Sequence, residues 1–296
     1  MSDVKIQDVL RGGIQLLTDS GVPTAANDAR LLAAYLLDCS PLDILLLHDM
    51  APQQFLSDFA LLLSRRAKRE PLQHILGVAP FRYLELKTRR GVFIPRPETE
   101  VVAEVAIDEA KALVSRGQVP TVIDACTGSG AIALSLATEI PRAQVFAFDL
   151  SPVALDLVNE NAAMLGAQYE FSLTSFLADV TSFDADARRQ VPAQVDIFVS
   201  NPPYIPPDQE PLEVEVREYD PDLELYGGGL DGLLVPRKVI ALAAQLLVPG
   251  GLFVMEHAEV QAAAVRGIAA EYFENVQTRS DLTQAPRMVV ARKPVS

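Results

Sequence analysis

The spacing of apolar residues changes twice along this chain. Ile6, Val9, Leu10, Ile14 and Leu17 recur at helical intervals, as do Ala29, Leu32, Ala33, Leu36 and Leu37, and a further helix is expected from Pro52 to Arg69. Residues 1–70 therefore read as a small helical bundle without a catalytic motif, a domain suited to recognising a partner. From Pro71 onward the helical period gives way to Gly, Pro and alternation, as in Phe81-Arg82-Tyr83-Leu84-Glu85-Leu86-Lys87, which predicts a hairpin linker over 71–96. Beyond residue 97, helical stretches alternate with short apolar runs, the pattern of a doubly wound α/β sheet. Strands are expected at Thr121–Ala125, Gln144–Phe148, Tyr169–Leu173, Val195–Ser200, Gly251–Glu256, Asn275–Arg279 and Arg287–Arg292. Helices are expected near Glu98–Ser115, Gly130–Glu139, Pro152–Leu165, Val235–Leu247 and Glu259–Tyr272. No helical pattern separates the last two strands, so the final one should enter antiparallel.

Ligands of such sheets bind beyond the carboxyl ends of the strands. Two of the predicted strands end in unusual loops. The first runs through Asp124 and Ala125 into Cys126-Thr127-Gly128-Ser129-Gly130, where a helix begins. Its glycines allow a tight turn and close approach to a ligand. The next strand ends in Asp149, placed to accept hydrogen bonds from ribose hydroxyls. This describes a site for an adenosine-containing cofactor. Gly128-x-Gly130-x-x-Ala133 also satisfies a dinucleotide fingerprint, so spacing alone does not choose between cofactors. Asp124 suits S-adenosylmethionine better, because a carboxylate there serves an amino-acid end or a sulfonium and opposes a pyrophosphate. Asp179, after the third strand, is a candidate partner for the adenine amino group, or else a loop cap.

The second loop is Asn201-Pro202-Pro203-Tyr204, directly after the apolar run Val195–Ser200. Two prolines stiffen the backbone and donate no hydrogen bond. Asn201 offers a side-chain acceptor, the Pro202 carbonyl a second, and Tyr204 a ring to lie against a flat group. Such a loop can grip a planar amide or amino group, which would be the methyl acceptor.

Charge and composition narrow the partners. The formal net charge of −14 argues against a protein that mainly neutralises a phosphate backbone. A basic stretch, Arg65 to Arg96, is the exception, and is either a docking face for an acidic partner or a solvated surface. Two distant cysteines and three scattered histidines supply neither a disulfide framework nor a zinc cluster. No apolar run reaches about 18 residues and no basic leader opens the chain, so no membrane partner and a cytoplasmic location are expected.

Taken together, Phe93-Ile94-Pro95-Arg96-Pro97-Glu98-Thr99-Glu100, the turn at 124–131 and Asn201-Pro202-Pro203-Tyr204-Ile205 resemble the peptide chain release factor glutamine methyltransferases, the HemK-like family. Pro71–Gly77, Tyr219-Asp220-Pro221, Gly228–Leu233 and Gly250–His257 extend the resemblance over residues 71–292. It implies a Rossmann-like methyltransferase sheet behind a helical N-terminal domain, with S-adenosylmethionine as methyl donor. The acceptor would be the side-chain amide nitrogen of the glutamine in the Gly-Gly-Gln tip of peptide chain release factors. By that resemblance Asn201, Pro202, Pro203 and Tyr204 hold the glutamine, Asp149 the ribose and residues 126–130 the methionine portion, with Phe93 to Arg96 lining the cofactor pocket or the substrate's entry. Cys126 departs from the pattern, where glycine is usual; its Cβ requires a negative φ or local strain. Two rivals remain: an amino-group methyltransferase acting on adenine in RNA or DNA, which shares the Asn-Pro-Pro-Tyr loop, and a non-catalytic adaptor.

Overall fold

The computed structural model describes residues 4–295, which divide into two compact units. One comprises the chain up to Val78 together with Pro211–Tyr219, a return the sequence pattern did not announce. Its frame is α1 (Ile6–Asp19), α2 (Ala25–Leu37), α3 (Gln53–Ala67) and α4 (Leu72–Leu76). Ile6, Leu10, Gly13 and Leu17 form the buried stripe of α1. Gly13 lets α1 close on α3, since a Cβ there would lie 2.9 Å from the Phe59 ring. Arg66 of α3 is buried between Asp28 and Glu215, at 2.7 and 2.8 Å, and Arg69 reaches Glu215 at 2.6 Å. This pairing accounts for the returning segment: an uncompensated guanidinium would be costly inside a helical bundle.

The second unit begins at Ala79, within the hairpin β1 (Val78–Phe81) and β2 (Leu84–Lys87). Phe81, Leu84 and Leu86 are buried in its core, so the segment expected as a linker is divided between the units and its hairpin packs as structure. There follow α5 (Pro97–Ser115), β3 (Thr121–Ala125), α6 (Ala131–Glu139), β4 (Gln144–Asp149), α7 (Pro152–Leu165), β5 (Ser172–Leu177) and α8 (Ala185–Gln190). After β6 (Val195–Ser200), the short helix α9 (Val214–Tyr219) belongs to the helical unit. The chain then completes α10 (Asp222–Leu225), α11 (Leu234–Leu246), β7 (Leu247–Glu256), α12 (Ala262–Ala269), β8 (Glu274–Ser280) and β9 (Pro286–Arg292).

The seven strands lie in the order β5-β4-β3-β6-β7-β9-β8, all parallel from β5 to β7, with β9 antiparallel to both its neighbours. Alternate residues feed opposite faces. Val122, Val145, Ile197 and Val199 pack with α5 and α6, whereas Ile123, Phe148, Phe198 and Phe253 pack with α11 and α12. The third strand differs from expectation: pairing runs from Gln144↔Ser172 to Asp149↔Leu177, beyond the predicted Tyr169–Leu173. As a sheet edge, β5 carries Ser172, Thr174 and Ser175, which hide it from an apolar pattern. No helix among the described residues is long and apolar enough to cross a membrane.

Most of the basic stretch pairs with acidic side chains, Arg66, Arg69 and Arg82 in largely buried pairs and Arg65, Lys87 and Arg89 at the surface. Arg65 pairs with Glu70, Arg66 and Arg69 with Glu215, Arg82 with Glu139, Lys87 and Arg89 with Glu160, and Arg96 with Asp220.

Candidate active site

The chain order reverses at β3, which has β4 on one side and β6 on the other. Ala125 registers with Ser200, and the Ser200 hydroxyl donates to the Ala125 carbonyl at 2.7 Å. The turn starting at Cys126 and the loop starting at Asn201 therefore leave the same end of adjacent strands, the crevice where open α/β sheets bind ligands.

Two carboxylates shape the turn. Asp124, wholly buried, accepts from the Thr127 hydroxyl at 2.6 Å and the Ala133 N–H at 3.1 Å, tying the end of β3 to the first turn of α6. Asp149 accepts from the N–H groups of Gly128 (2.8 Å) and Ser151 (2.9 Å). The Ser129 carbonyl accepts from Asn161, a buried side chain that also holds Lys87 of β2. Cys126, Gly128 and Gly130 all have positive φ, at 57°, 54° and 81°. The Cys126 backbone thus takes the strained alternative, costing about 1–2 kcal/mol relative to glycine. Burial pushes its thiol well up, with the Asp149 and Asp124 charges adding to the effect, so it stays protonated.

A third acid, Glu224 of α10, reaches the turn from a distant part of the chain. A Cβ placed on Gly128 would lie 3.6 Å from its Oε2, which accepts the Phe93 N–H at 2.6 Å. Burial and the neighbouring Asp149 charge push Glu224 up to about 8, against the pull of the Phe93 N–H. Burial likewise pushes Asp124 up to about 7, despite its bonds to Thr127 and Ala133. Asp124 Oδ1 and Glu224 Oε1 are buried with no hydrogen-bond partner. Orphaned carboxylate oxygens beside a glycine turn fit a cationic ligand such as a sulfonium bearing an ammonium group. They oppose a pyrophosphate, and the Gly128 N–H that would bind one is already held by Asp149. The sequence pattern gave no sign of Glu224; only its position over the turn reveals it.

The second loop is walled by backbone. The N–H groups of Tyr204 and Ile205 donate to the Leu225 carbonyl at 3.2 and 2.9 Å, and Gln261 donates to the Tyr204 carbonyl at 2.7 Å. Gly227 and Gly232 press against it so closely that a Cβ would lie 2.6 Å from the Pro203 carbonyl oxygen and 2.3 Å from that of Tyr204, respectively. Asn201 Nδ2 donates to Thr99 Oγ1 (3.2 Å), which donates to Glu256 Oε2 (2.7 Å), while the Tyr204 hydroxyl donates to Glu256 Oε1 (3.1 Å). Thr99 and Glu256 lie inside motifs noted for their resemblance, but nothing in either motif showed that they meet. Near the glycine turn, Arg96 stacks over the Phe93 ring at 5.2 Å and pairs with Asp220. Asp179 caps the short turn Val180–Ser182, accepting from the N–H and hydroxyl of Thr181 and the hydroxyl of Ser182. Those bonds occupy three of the roughly four lone-pair sites of a carboxylate.

A mostly parallel α/β sheet with a glycine turn, a buried acid ending the next strand and an Asn-Pro-Pro-Tyr loop at its switch point is the architecture of an S-adenosylmethionine-dependent methyltransferase. Comparison with known proteins makes the class specific. The description "PrmC N-terminal domain" matches residues 8–77 and "Methyltransferase small domain" residues 87–216. The release factor glutamine methyltransferase of Bifidobacterium longum is 40% identical over 295 residues, covering 97% of this chain and 99% of that one. That of Streptomyces coelicolor is 42% identical over 282 residues, covering 94% and 95%. The chain belongs to the release factor glutamine methyltransferase family. Among solved structures, a 16S rRNA N2 methyltransferase of T. thermophilus, in complex with AdoMet and guanosine, aligns with a TM-score of 0.50 at 21% identity over 73% of this chain and 49% of that one, a likeness of fold.

Proposed function

We propose that this chain methylates the side-chain amide nitrogen of the glutamine in the Gly-Gly-Gln motif of peptide chain release factors, in the cytoplasm where those factors work. The observation that carries the reading is the adjacency of the Cys126–Gly130 turn and the Asn201–Tyr204 loop on registered strands. S-adenosylmethionine, when bound, supplies an electrophilic methyl group on its sulfonium. Asp149 would hold its ribose, residues 126–130 with Asp124 and Glu224 its methionine end, and Asp179 its adenine through the remaining acceptor site.

An amide nitrogen is a poor nucleophile, because its lone pair is delocalised into the carbonyl. Asn201 Oδ1 and the Pro202 carbonyl accept its two N–H bonds, returning electron density to nitrogen and fixing its direction, while Tyr204 bounds the amide plane. No residue has to remove a proton before transfer, since the nitrogen becomes acidic only as the new bond forms. Alignment of this kind is worth roughly 7–11 kcal/mol in favourable cases, and each well-aimed acceptor about 3 kcal/mol more. The net charge of −14, with Arg66, Arg69 and Arg82 committed to largely buried ion pairs, supports a protein substrate over a nucleic acid.

Incubation with purified release factor and S-adenosylmethionine, followed by mass spectrometry of the Gly-Gly-Gln peptide, should show one added methyl group on glutamine. Asn201→Ala should retain cofactor binding and lose most turnover. Methyl transfer to RNA or DNA in place of the peptide would overturn the assignment.

A further inference from the structure

Asn201 is useful as an acceptor only one way round. Its side-chain amide has an oxygen end and a nitrogen end of nearly the same shape, and a half-turn would present N–H groups to the N–H groups of the substrate amide. We propose that Thr99 and Glu256 are positioning residues that fix this choice by a directed chain of hydrogen bonds, and that the same carboxylate sets Tyr204. The proposal rests on the reading of Asn201 as an amide acceptor.

The direction follows from donor counting. A carboxylate only accepts. Thr99 Oγ1, 2.7 Å from Glu256 Oε2, therefore directs its single hydrogen to Glu256. It then faces Asn201 with lone pairs alone, and only the NH2 end of Asn201 can meet them at 3.2 Å. Oδ1 is left pointing away from Thr99, free to accept from substrate. The other Glu256 oxygen takes the Tyr204 hydroxyl at 3.1 Å, so one side chain orders both ends of the loop. Thr99 is 4% exposed and Glu256 3%, so water does not offer either an easy substitute partner. Thr99 comes from the first turn of α5 and Glu256 from the end of β7, elements already fixed by the core. The chain therefore starts on rigid supports.

The arrangement needs an ionised Glu256. Burial pushes this acid up to about 7; the Thr99 and Tyr204 hydroxyls and the Arg287 charge favour ionisation, and the Glu98 charge opposes it. Once protonated, Glu256 can donate to Thr99, the chain reverses, and the oxygen of Asn201 is drawn to Thr99. Turnover should thus fall on the acid side as Glu256 takes up its proton, with release-factor KM little changed.

The test compares Thr99→Val, Thr99→Ser, Glu256→Gln and Asn201→Ala in the full chain, with kcat and KM for release factor and calorimetric affinity for S-adenosylmethionine. Thr99→Val keeps the side-chain shape but not the hydrogen bonds. It should bind cofactor like wild type and lose about 100-fold in kcat, the scale set by a misplaced catalytic group. Thr99→Ser should restore most of that loss, and Glu256→Gln should lack the acid limb of the kcat profile. Thr99→Val with unimpaired kcat, Thr99→Ser as poor as Thr99→Val, or a Glu256→Gln profile that keeps the acid limb would overturn the proposal. If Asn201→Ala itself turned over normally, the acceptor reading would fail and take the proposal with it. Loss in Asn201→Ala beside normal Thr99→Val would reject the positioning chain alone.

Discussion

Gly232 offers a sharp test of how the Asn201–Tyr204 loop, the proposed substrate loop, is held. With φ at +70° and a Cβ position 2.3 Å from the Tyr204 carbonyl oxygen, 2.7 Å from the Pro206 nitrogen and 2.9 Å from the Ile205 carbonyl carbon, Gly232→Ala meets only backbone. Real Cβ contacts essentially never fall below 3.0 Å, so loop or wall must retreat by more than half an ångström. Left-handed backbone costs alanine about 1–2 kcal/mol, and overpacking adds about 1–3 kcal/mol. Gly250→Ala is the control: its φ is +80°, and nothing lies within 4 Å of its Cβ. The control should lose only the first cost. Gly232→Ala should lose roughly 3 kcal/mol, which for a domain of this size lowers Tm by roughly 6–12 °C. The displaced loop should also cost about 100-fold in kcat, measured on release factor at saturating cofactor, while Gly250→Ala stays near wild type. Equal destabilisation of the two variants, with Gly232→Ala fully active, would refute the idea that a glycine wall sets the loop.

Two further predictions concern acids whose proton affinity the fold has moved. Glu224, faced by Asp149, Asp220 and the Phe93 N–H, is held up at about 8, whereas in the unfolded chain it titrates near 4.5. Its contribution to stability is present below the unfolded value and lost as pH rises through about 8, so Glu224→Gln should gain stability over wild type at pH 9. A cation favours the ionised form, so calorimetric affinity for S-adenosylmethionine should rise between pH 7 and pH 9 more steeply in wild type than in Glu224→Gln; parallel curves would remove Glu224 from the cofactor site. Glu215 moves the opposite way: burial alone would raise it, but the Arg69 and Arg66 guanidiniums outweigh burial and hold it down at about 2 from 4.5. Its contribution is present above pH 4.5 and lost as pH falls through about 2, so acid denaturation of Glu215→Gln should be flatter across that window.

Much of the molecule was legible because local chemistry dictates local backbone. The buried runs at β3 and β6, the glycines at 128 and 130 and the prolines at 202 and 203 announce strand ends and stiff loops without any tertiary information. The amphipathic stripes of α1 and α2 do the same for the helical unit. Edge strand β5 escaped at its carboxyl end because an edge need not alternate apolar residues. The sign of φ at Cys126 likewise escaped, since an L-residue can occupy that corner only when its surroundings force it.

By itself, the sequence determined the fold class, the positions of the two loops proposed to bear the chemistry and the family to which the chain belongs. Tertiary structure alone decided that Phe93 meets Glu224, that Thr99 meets both Asn201 and Glu256, and that Arg66 turns inward on Glu215. Backbone conformation depends on neighbours a few residues away. The pairing of groups more than a hundred positions apart, and the burial that moves their proton affinities, exist only once the sheet has brought them together.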